Sequence, residues 1–217
     1  MIVIATNNGI THLPRLLQSI DVHGTGEHKV CIVDTGSTNP EFIQYIDSLD
    51  TSKYIIHKQI GGYDTGAYIY AYREFNESEY LFMHDSMEVL SDTWMDDFTA
   101  YNTDVCYYSG FRMCFDGNEQ VEWLCNKNIY NAGCLLGVFG PIFYVKRIVL
   151  DAISTRFNLD SIIPTSKVEQ QHMERGWAMM IDTVTQSKSW LSMFYGEPLE
   201  GPMSPFPNLM KYRPIRK

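Results

Sequence analysis

Short runs of apolar residues alternate along this chain with stripes at helical spacing. Ile2-Val3-Ile4-Ala5 reads as a buried strand, Thr6-Asn7-Asn8-Gly9 as a loop, and Leu13, Leu16, Leu17 and Ile20 as one face of a helix with Pro14 in its first turn. The unit repeats. Val30-Cys31-Ile32-Val33 predicts a second strand that closes in Asp34-Thr35-Gly36-Ser37-Thr38. Asn39 then caps a helix with Pro40 at its first position and Phe42, Tyr45, Ile46 and Leu49 as its stripe. Tyr54 to His57 is a third strand, and Gly61-Gly62-Tyr63-Asp64-Thr65-Gly66 leads into a helix whose Ala67, Ala71 and Phe75 share a face.

The stretch from Tyr80 to Leu90 organises the rest. Tyr80-Leu81-Phe82-Met83 predicts a buried strand that ends in His84, Asp85, Ser86 and Glu88, residue types that bind metals or phosphates; the alternative is a strand followed by a solvated acidic turn. A short helix with Trp94 and Phe98, capped by Ser91 or Asp92, comes next. Strands alternating with helices imply β-α-β crossovers and a parallel core, whose ligands bind beyond the carboxyl ends of the strands.

Beyond Tyr101 the pattern changes to a mixed or antiparallel half. Val105 to Ser109 predicts a strand, and Arg112 to Phe115 and Gln120 to Leu124 flank Asp116-Gly117-Asn118-Glu119 as a hairpin. Gly137 to Val145 predicts another strand, then a helix carries Val149, Leu150 and Ile153. Thr165 or Ser166 caps a further helix ended by Gly176. The Pro-rich tail from Gly196 to Lys217 is either a lid or a frayed end. No repeat or linker divides the chain, so one domain, 1–217, is expected. Its expected parts are 1–100, 101–195 and a tail, 196–217.

Composition narrows the function. The 217 residues are 45% hydrophobic and 20% charged, as in a globular domain, and the net charge of −9 argues against nucleic acid or an anionic membrane as partner. No stretch approaches the roughly 20 apolar residues of a membrane span. Five cysteines without CxxC spacing read as free core thiols in a reducing compartment, and the apolar start is too short and too uncharged for a signal peptide, so a cytoplasmic location is expected. Neither GxGxxG nor GxxxxGK[ST] is present, which excludes the two commonest phosphate loops.

Four polar loops after four strands remain. Ile2-Val3-Ile4-Ala5-Thr6, Val33-Asp34-Thr35-Gly36-Ser37-Thr38, Gly61 to Ala67 and the later, basic-ended Gly137 to Arg147, in this order, resemble the GT-A glycosyltransferases, most closely the family 2 group. The resemblance covers roughly residues 1 to 180 and implies that 1–100 is the nucleotide-sugar-binding half and 101–195 the acceptor-side half. It implies a three-layer α/β/α sandwich with a mostly parallel central sheet and a smaller mixed part, and transfer of a sugar, UDP-hexose above others, to a hydroxyl of a glycan, lipid-linked or protein-linked acceptor. It places Thr6, Asn7, Asp34, Gly62, Tyr63, Asp64, His84, Asp85 and Ser86 around the nucleotide sugar. It also implies Mn²⁺ or Mg²⁺ on Asp85, with His172 as a further ligand and Glu88 as a second contact. The family's D-x-D is here His84-Asp85-Ser86, so only Asp85 is a clear carboxylate; His84 stands as a phosphate donor or as a surface-loop histidine. The family's E-D pair is matched by Glu169-Gln170, which makes Glu169 the expected base, with Asp116 and Glu122 as weaker candidates. Trp123 and Trp190 are candidate sugar platforms or core residues. Two other functions fit the same residues: a catalytically degenerate nucleotide- or glycan-binding module, and a nucleotidyltransferase, disfavoured because no glycine- and arginine-rich loop follows the first strand.

Overall fold

A computed structural model describes residues 1–99, 106–108, 111–113, 117–134, 136–138, 140–185, 188–190, 193–194, 203–206 and 208–212. The elements run β1 (Ile2–Thr6), α1 (His12–His23), β2 (Val30–Asp34), α2 (Pro40–Asp47), β3 (Tyr54–His57), α3 (Tyr63–Glu74), β4 (Glu79–His84), β5 (Met87–Val89) and α4 (Asp96–Thr99). The second half follows as β6 (Cys106–Tyr108), β7 (Phe111–Met113), α5 (Asn118–Asn126), β8 (Leu136–Gly137), β9 (Phe143–Lys146), α6 (Arg147–Arg156) and α7 (Lys167–Val184). It closes with β10 (Lys188–Trp190), β11 (Met193–Phe194), β12 (Met203–Phe206) and β13 (Leu209–Lys211).

The central sheet has the order β10-β6-β9-β4-β1-β2-β3. Strands β4, β1, β2 and β3 are mutually parallel, and β9 lies antiparallel between β4 and β6. The alternation within β1 explains the layering. Val3 and Ala5 join the core that contains α3, α6 and α7, whereas Ile2 and Ile4 join the opposite core with Leu13, Leu16, Leu17 and Ile20 of α1 and Phe42 and Ile46 of α2. A sheet buried on both faces is the expected three-layer α/β/α sandwich. The Asn39 cap also forms, its side chain accepting from the amides of Glu41 and Phe42 at 2.9 and 3.3 Å.

The second half departs from the expected pattern in three places. Residues 118–126 form α5 rather than the second strand of a hairpin. Val121, Leu124 and Cys125 recur at helical spacing, Leu124 is fully buried, and α5 packs on α7. The strand expected over Gly137 to Val145 is two strands, β8 and β9, because Gly140 at φ +60 and Pro141 turn the chain between them. Helix α7 does not stop at Gly176 but runs on to Val184. A Cβ at Gly176 would stand 2.9 Å from Met173 Sδ and 3.0 Å from Ile129 Cδ1, so this glycine serves packing rather than termination.

The cysteines divide. Cys31 and Cys134 are buried free thiols, and burial pushes the Cys31 thiol up to about 12, while Cys125 is exposed, contrary to a wholly internal set. Cys114 and the side chain of Cys106 lie outside the described residues. In the tail, β13 pairs antiparallel with β5 and with β12 to form a three-stranded sheet beside the carboxyl end of β4. No helix among the described residues is long and apolar enough to cross a membrane.

Candidate functional site

Parallel pairing aligns the ends of β1, β2 and β4: Thr6 stands opposite Asp34, and Ala5 opposite His84. The loops that follow therefore meet at one edge. Asp85 continues from β4, its amide bonded to the carbonyl of Ala5 at 3.1 Å. Its carboxylate is buried, and Oδ2 accepts from Thr6 Oγ1 at 2.5 Å. Gly9 makes room for this contact. A Cβ at that position would fall 2.0 Å from Asp85 Oδ2 and 2.9 Å from Thr6 Oγ1.

Burial pushes the Asp85 carboxyl up to about 6. The Thr6 bond opposes that rise, the negative charge of Asp64 adds to it, and Lys211 and the Asn7 amide oppose it. Asp64, in the first turn of α3, is raised by burial too, against the pull of Lys167 and Lys211. Two carboxyls and one ammonium thus share a neighbourhood at the end of β4. Gln170 of α7 fixes the α3 side of it: Oε1 accepts from the Thr65 amide at 3.2 Å and Nε2 donates to Asp64 Oδ2 at 3.5 Å. Trp177 of the same helix donates to Thr65 Oγ1 at 3.1 Å. Gly62, at φ +86, precedes α3, and Tyr63 follows at φ +53 with the Lys167 ammonium 6.0 Å from its ring centroid.

The β2 loop is stapled to the β1 loop. Asp34 is buried, and its Oδ1 accepts from the Ser37 amide at 2.9 Å and from Ser37 Oγ at 2.5 Å. Asn7 Nδ2 reaches the Thr35 carbonyl at 3.3 Å, and Asn8 Oδ1 accepts from the amides of Thr38 and Asn39. Asn7 itself is exposed. His84 is half-buried, with Nδ1 2.8 Å from Ser86 Oγ and Nε2 against the Lys211 ammonium. Nine of the sequence-expected residues, Thr6, Asn7, Asp34, Gly62, Tyr63, Asp64, His84, Asp85 and Ser86, thus sit on the loops, the strand ends and the first turn of α3 at this one edge.

Glu169 and His172 are placed differently. Glu169 Oε2 accepts from the Thr165 amide at 2.6 Å and from Thr165 Oγ1 at 2.8 Å, Oε1 accepts from Trp123 Nε1 at 3.0 Å, and Ser166 Oγ accepts from the Glu169 amide at 3.2 Å. This is a helix cap. The Thr165 bonds hold the carboxyl down at about 2, which makes it a weak proton acceptor, so the structure does not support a base role. His172 is buried with its ring 5.5 Å from that of Trp123, Nδ1 has no hydrogen-bond partner, and burial lowers its pKa. No hydrogen bond or ion pair joins it to Asp85 among the described residues. Trp123 serves the cap and lies tilted at 59° to the His172 ring. Asp116 and the Trp190 side chain lie outside the described residues, and Glu122 is exposed.

The donors test the expected metal. Among the described residues no three His, Cys, Asp or Glu side chains gather to hold an ion. Where a second carboxylate would complete the set stands His84, with a lysine ammonium against it. Asp85 and His172, the expected ligands of Mn²⁺ or Mg²⁺, are thus not gathered with a third such side chain among the described residues. Gln170 and Lys211 are the site residues that sequence reasoning missed. Gln170 was visible only as a departure from the E-D pair, and Lys211 only as a residue of the Pro-rich tail.

No protein-family model matches this sequence, and no curated protein does. Solved structures match its fold. S. aureus TarS is 14% identical over 91% of this chain and 37% of that chain, with a TM-score of 0.57. S. aureus TarS 1-349 is 16% identical over 88% of this chain and 57% of that one at 0.54, and the same fragment in complex with UDP is 14% identical over 91% and 60% at 0.53. This chain thus spans between about a third and three-fifths of the TarS chains it matches. The fold is GT-A-like.

Proposed function

We propose that this domain binds a nucleoside diphosphate sugar, UDP-hexose first, at the shared edge of β1, β2 and β4 and transfers the sugar to an acceptor hydroxyl. The observation that carries the reading is the Thr6–Asp85 pair, a buried carboxylate held at the carboxyl end of a central strand beside Asp64 and Lys211. Charges are retained in a buried place only when they have work or partners. Asp34, at the end of β2, has Oδ2 unbonded among the described residues and suits a base or ribose hydroxyl. Asp64 and Asp85 suit hydroxyls of the donor, and Lys211 and His84 suit its phosphates. In transfer, an acceptor oxygen bonds to the anomeric carbon, the diphosphate leaves with the electron pair, and the acceptor proton passes to solvent or to a carboxylate of this edge. A UDP complex of a fold neighbour makes UDP the first nucleotide to try.

A second reading has its own observation. Glu169 is spent on a cap, so the domain supports binding without turnover as well. The acceptor, a glycan or a lipid- or protein-linked group, follows the resemblance alone. Thermal shifts with UDP-, GDP- and dTDP-sugars, with and without Mn²⁺, test the reading. Saturation at about 100 times the dissociation constant would add about 2.7 kcal/mol of stability. No shift with any nucleotide sinks both readings, and a shift without sugar release in a hydrolysis or transfer assay leaves the binding module.

A further inference from the structure

We infer that Gln170 is a positioning residue for the donor sugar: from α7 it caps helix α3 and turns the Asp64 carboxylate toward the sugar hydroxyls of a nucleotide sugar held at the edge of β1, β2 and β4. The inference rests on the nucleotide-sugar reading above. It starts from a helix that lacks its own cap. Gly62 stands where a serine, threonine, aspartate or asparagine would bond an amide two or three residues on, and it has no side chain to do so. A side chain is disfavoured there, because φ is +86 and a Cβ would fall 2.3 Å from Ile163 Cγ2. The cap comes instead from 105 positions away. Gln170 Oε1 accepts from the amide of Thr65, the third residue of α3, at 3.2 Å.

Gln170 is 2% exposed, so its amide needs partners inside the protein, and both of its ends find them on the first turn of α3. Nε2 donates to Asp64 Oδ2 at 3.5 Å, a distance long for such a bond, which orients the carboxylate without consuming it. Asp64 Oδ1 makes no hydrogen bond among the described residues. Trp177, seven residues further on and therefore on the same face of α7, donates to Thr65 Oγ1 at 3.1 Å. Helix α7 thus grips Thr65 by main chain and side chain, and this fixes the backbone that carries Asp64. Tyr63, just before Asp64, holds φ +53, a conformation that a non-glycine residue keeps only where its surroundings over-determine it. Asp64 lies close enough to Asp85 for its charge to act there. Carboxylates repel phosphate oxygens and accept from hydroxyls, so the part of the donor that suits Asp64 is the sugar.

The test is calorimetric titration of the whole chain, with Mn²⁺ in the buffer, against UDP, UDP-glucose and UDP-galactose, for wild type, Gln170→Met, Asp64→Asn and the double variant. The quantity read is the affinity for a UDP-hexose relative to that for UDP. Each single variant should lower this ratio by about 10-fold, as for one hydrogen bond to a charged group, with UDP itself changed less than threefold. The double variant should fall no further than Asp64→Asn, because Gln170 acts through Asp64. The melting temperature should drop by about 2 to 4 °C in Gln170→Met, which loses the cap, and should not drop in Asp64→Asn. If Gln170→Met does not fold, Gln170→Glu keeps the oxygen that caps Thr65, replaces the donor on Asp64 by a second carboxyl, and decides by the same ratio. An unchanged ratio in either single variant, equal losses for UDP and UDP-hexose, or additive losses in the double variant overturns the role of Gln170 and leaves the nucleotide-sugar reading intact. Wild type that binds UDP but neither UDP-hexose overturns this role and leaves a nucleotide site. No binding of any of the three overturns the nucleotide-sugar reading, and this role with it.

Discussion

Thr6 Oγ1 donates to Asp85 Oδ2 at 2.5 Å, joining residues 79 positions apart across the parallel β1–β4 pair. The bond is sequestered from solvent, and it partly offsets the cost of burying a carboxylate. Nearly everything proposed for this edge depends on Asp85 staying where this bond and the Gly9 opening put it.

The raised pKa of Asp85 makes a stability prediction. Its folded value, about 6, lies above its ordinary 3.8, so the folded state binds the proton more tightly. The contribution is fully present below about pH 4 and is lost as pH rises through 6. Asp85→Asn cannot ionise. It should be more stable than wild type at pH 8, by on the order of 2 kcal/mol, with the gap closing below pH 4 while sugar transfer is lost. Urea melts at pH 4, 6 and 8 measure the gap; one that does not depend on pH would refute the burial of a titrating Asp85.

Gly9→Ala places a methyl 2.0 Å from Asp85 Oδ2, which must move and release Thr6. Expected are a lower melting temperature, by an amount equivalent to about 1 to 3 kcal/mol, and UDP affinity reduced at least tenfold. Gly117→Ala, at a glycine with open space around it and φ −73, controls for glycine substitution as such. Wild-type UDP affinity in Gly9→Ala would show that the Asp85 position does not matter for the nucleotide.

Asp34 can serve its own turn, the nucleotide, or both, and two variants separate these. Ser37→Ala removes the hydroxyl that bonds Oδ1 and keeps the carboxylate, whereas Asp34→Ala removes the carboxylate. UDP affinity, read by calorimetry, should change less than threefold in the first and fall by about 1 to 3 kcal/mol in the second. Equal losses in both would make Asp34 a turn residue only.

Glu169→Gln should act on the fold more than on chemistry. A folded pKa of about 2 against an ordinary 4.5 means that ionised Glu169 stabilises the protein above pH 4.5, and that this stabilisation is lost as pH falls through 2. The variant should lose about 1 kcal/mol at pH 7, typical of a cap partner, and the loss should shrink toward pH 2. Transfer kcat should fall less than tenfold. A fall of 10²- to 10⁴-fold at unchanged stability would restore Glu169 as the base.

Period and punctuation in the sequence were enough to determine the parallel half. Runs such as Ile2 to Ala5 and Val30 to Val33 have no polar face to offer water, so they could only be central strands, and the Asn39-Pro40 cap and the Leu13 to Ile20 stripe name the helices between them. Once those strands are parallel, their polar ends must gather on one edge, which is why Thr6, Asp34 and Asp85 were legible as neighbours. The second half was less so. Residues 120–124 carry too few apolar positions to separate a strand from a helix, and contact with α7 decided for the helix. Tertiary structure alone decided which polar side chains face the site. Glu169, Gln170 and His172 lie within one turn, where a rotation of about 100° per residue separates a cap, a buried amide on Asp64 and a histidine against Trp123. Lys211 was beyond sequence for a different reason: a strand pairing with Met87 brings it against His84, 127 residues away, and nothing local to a Pro-rich tail records the partner on which it folds.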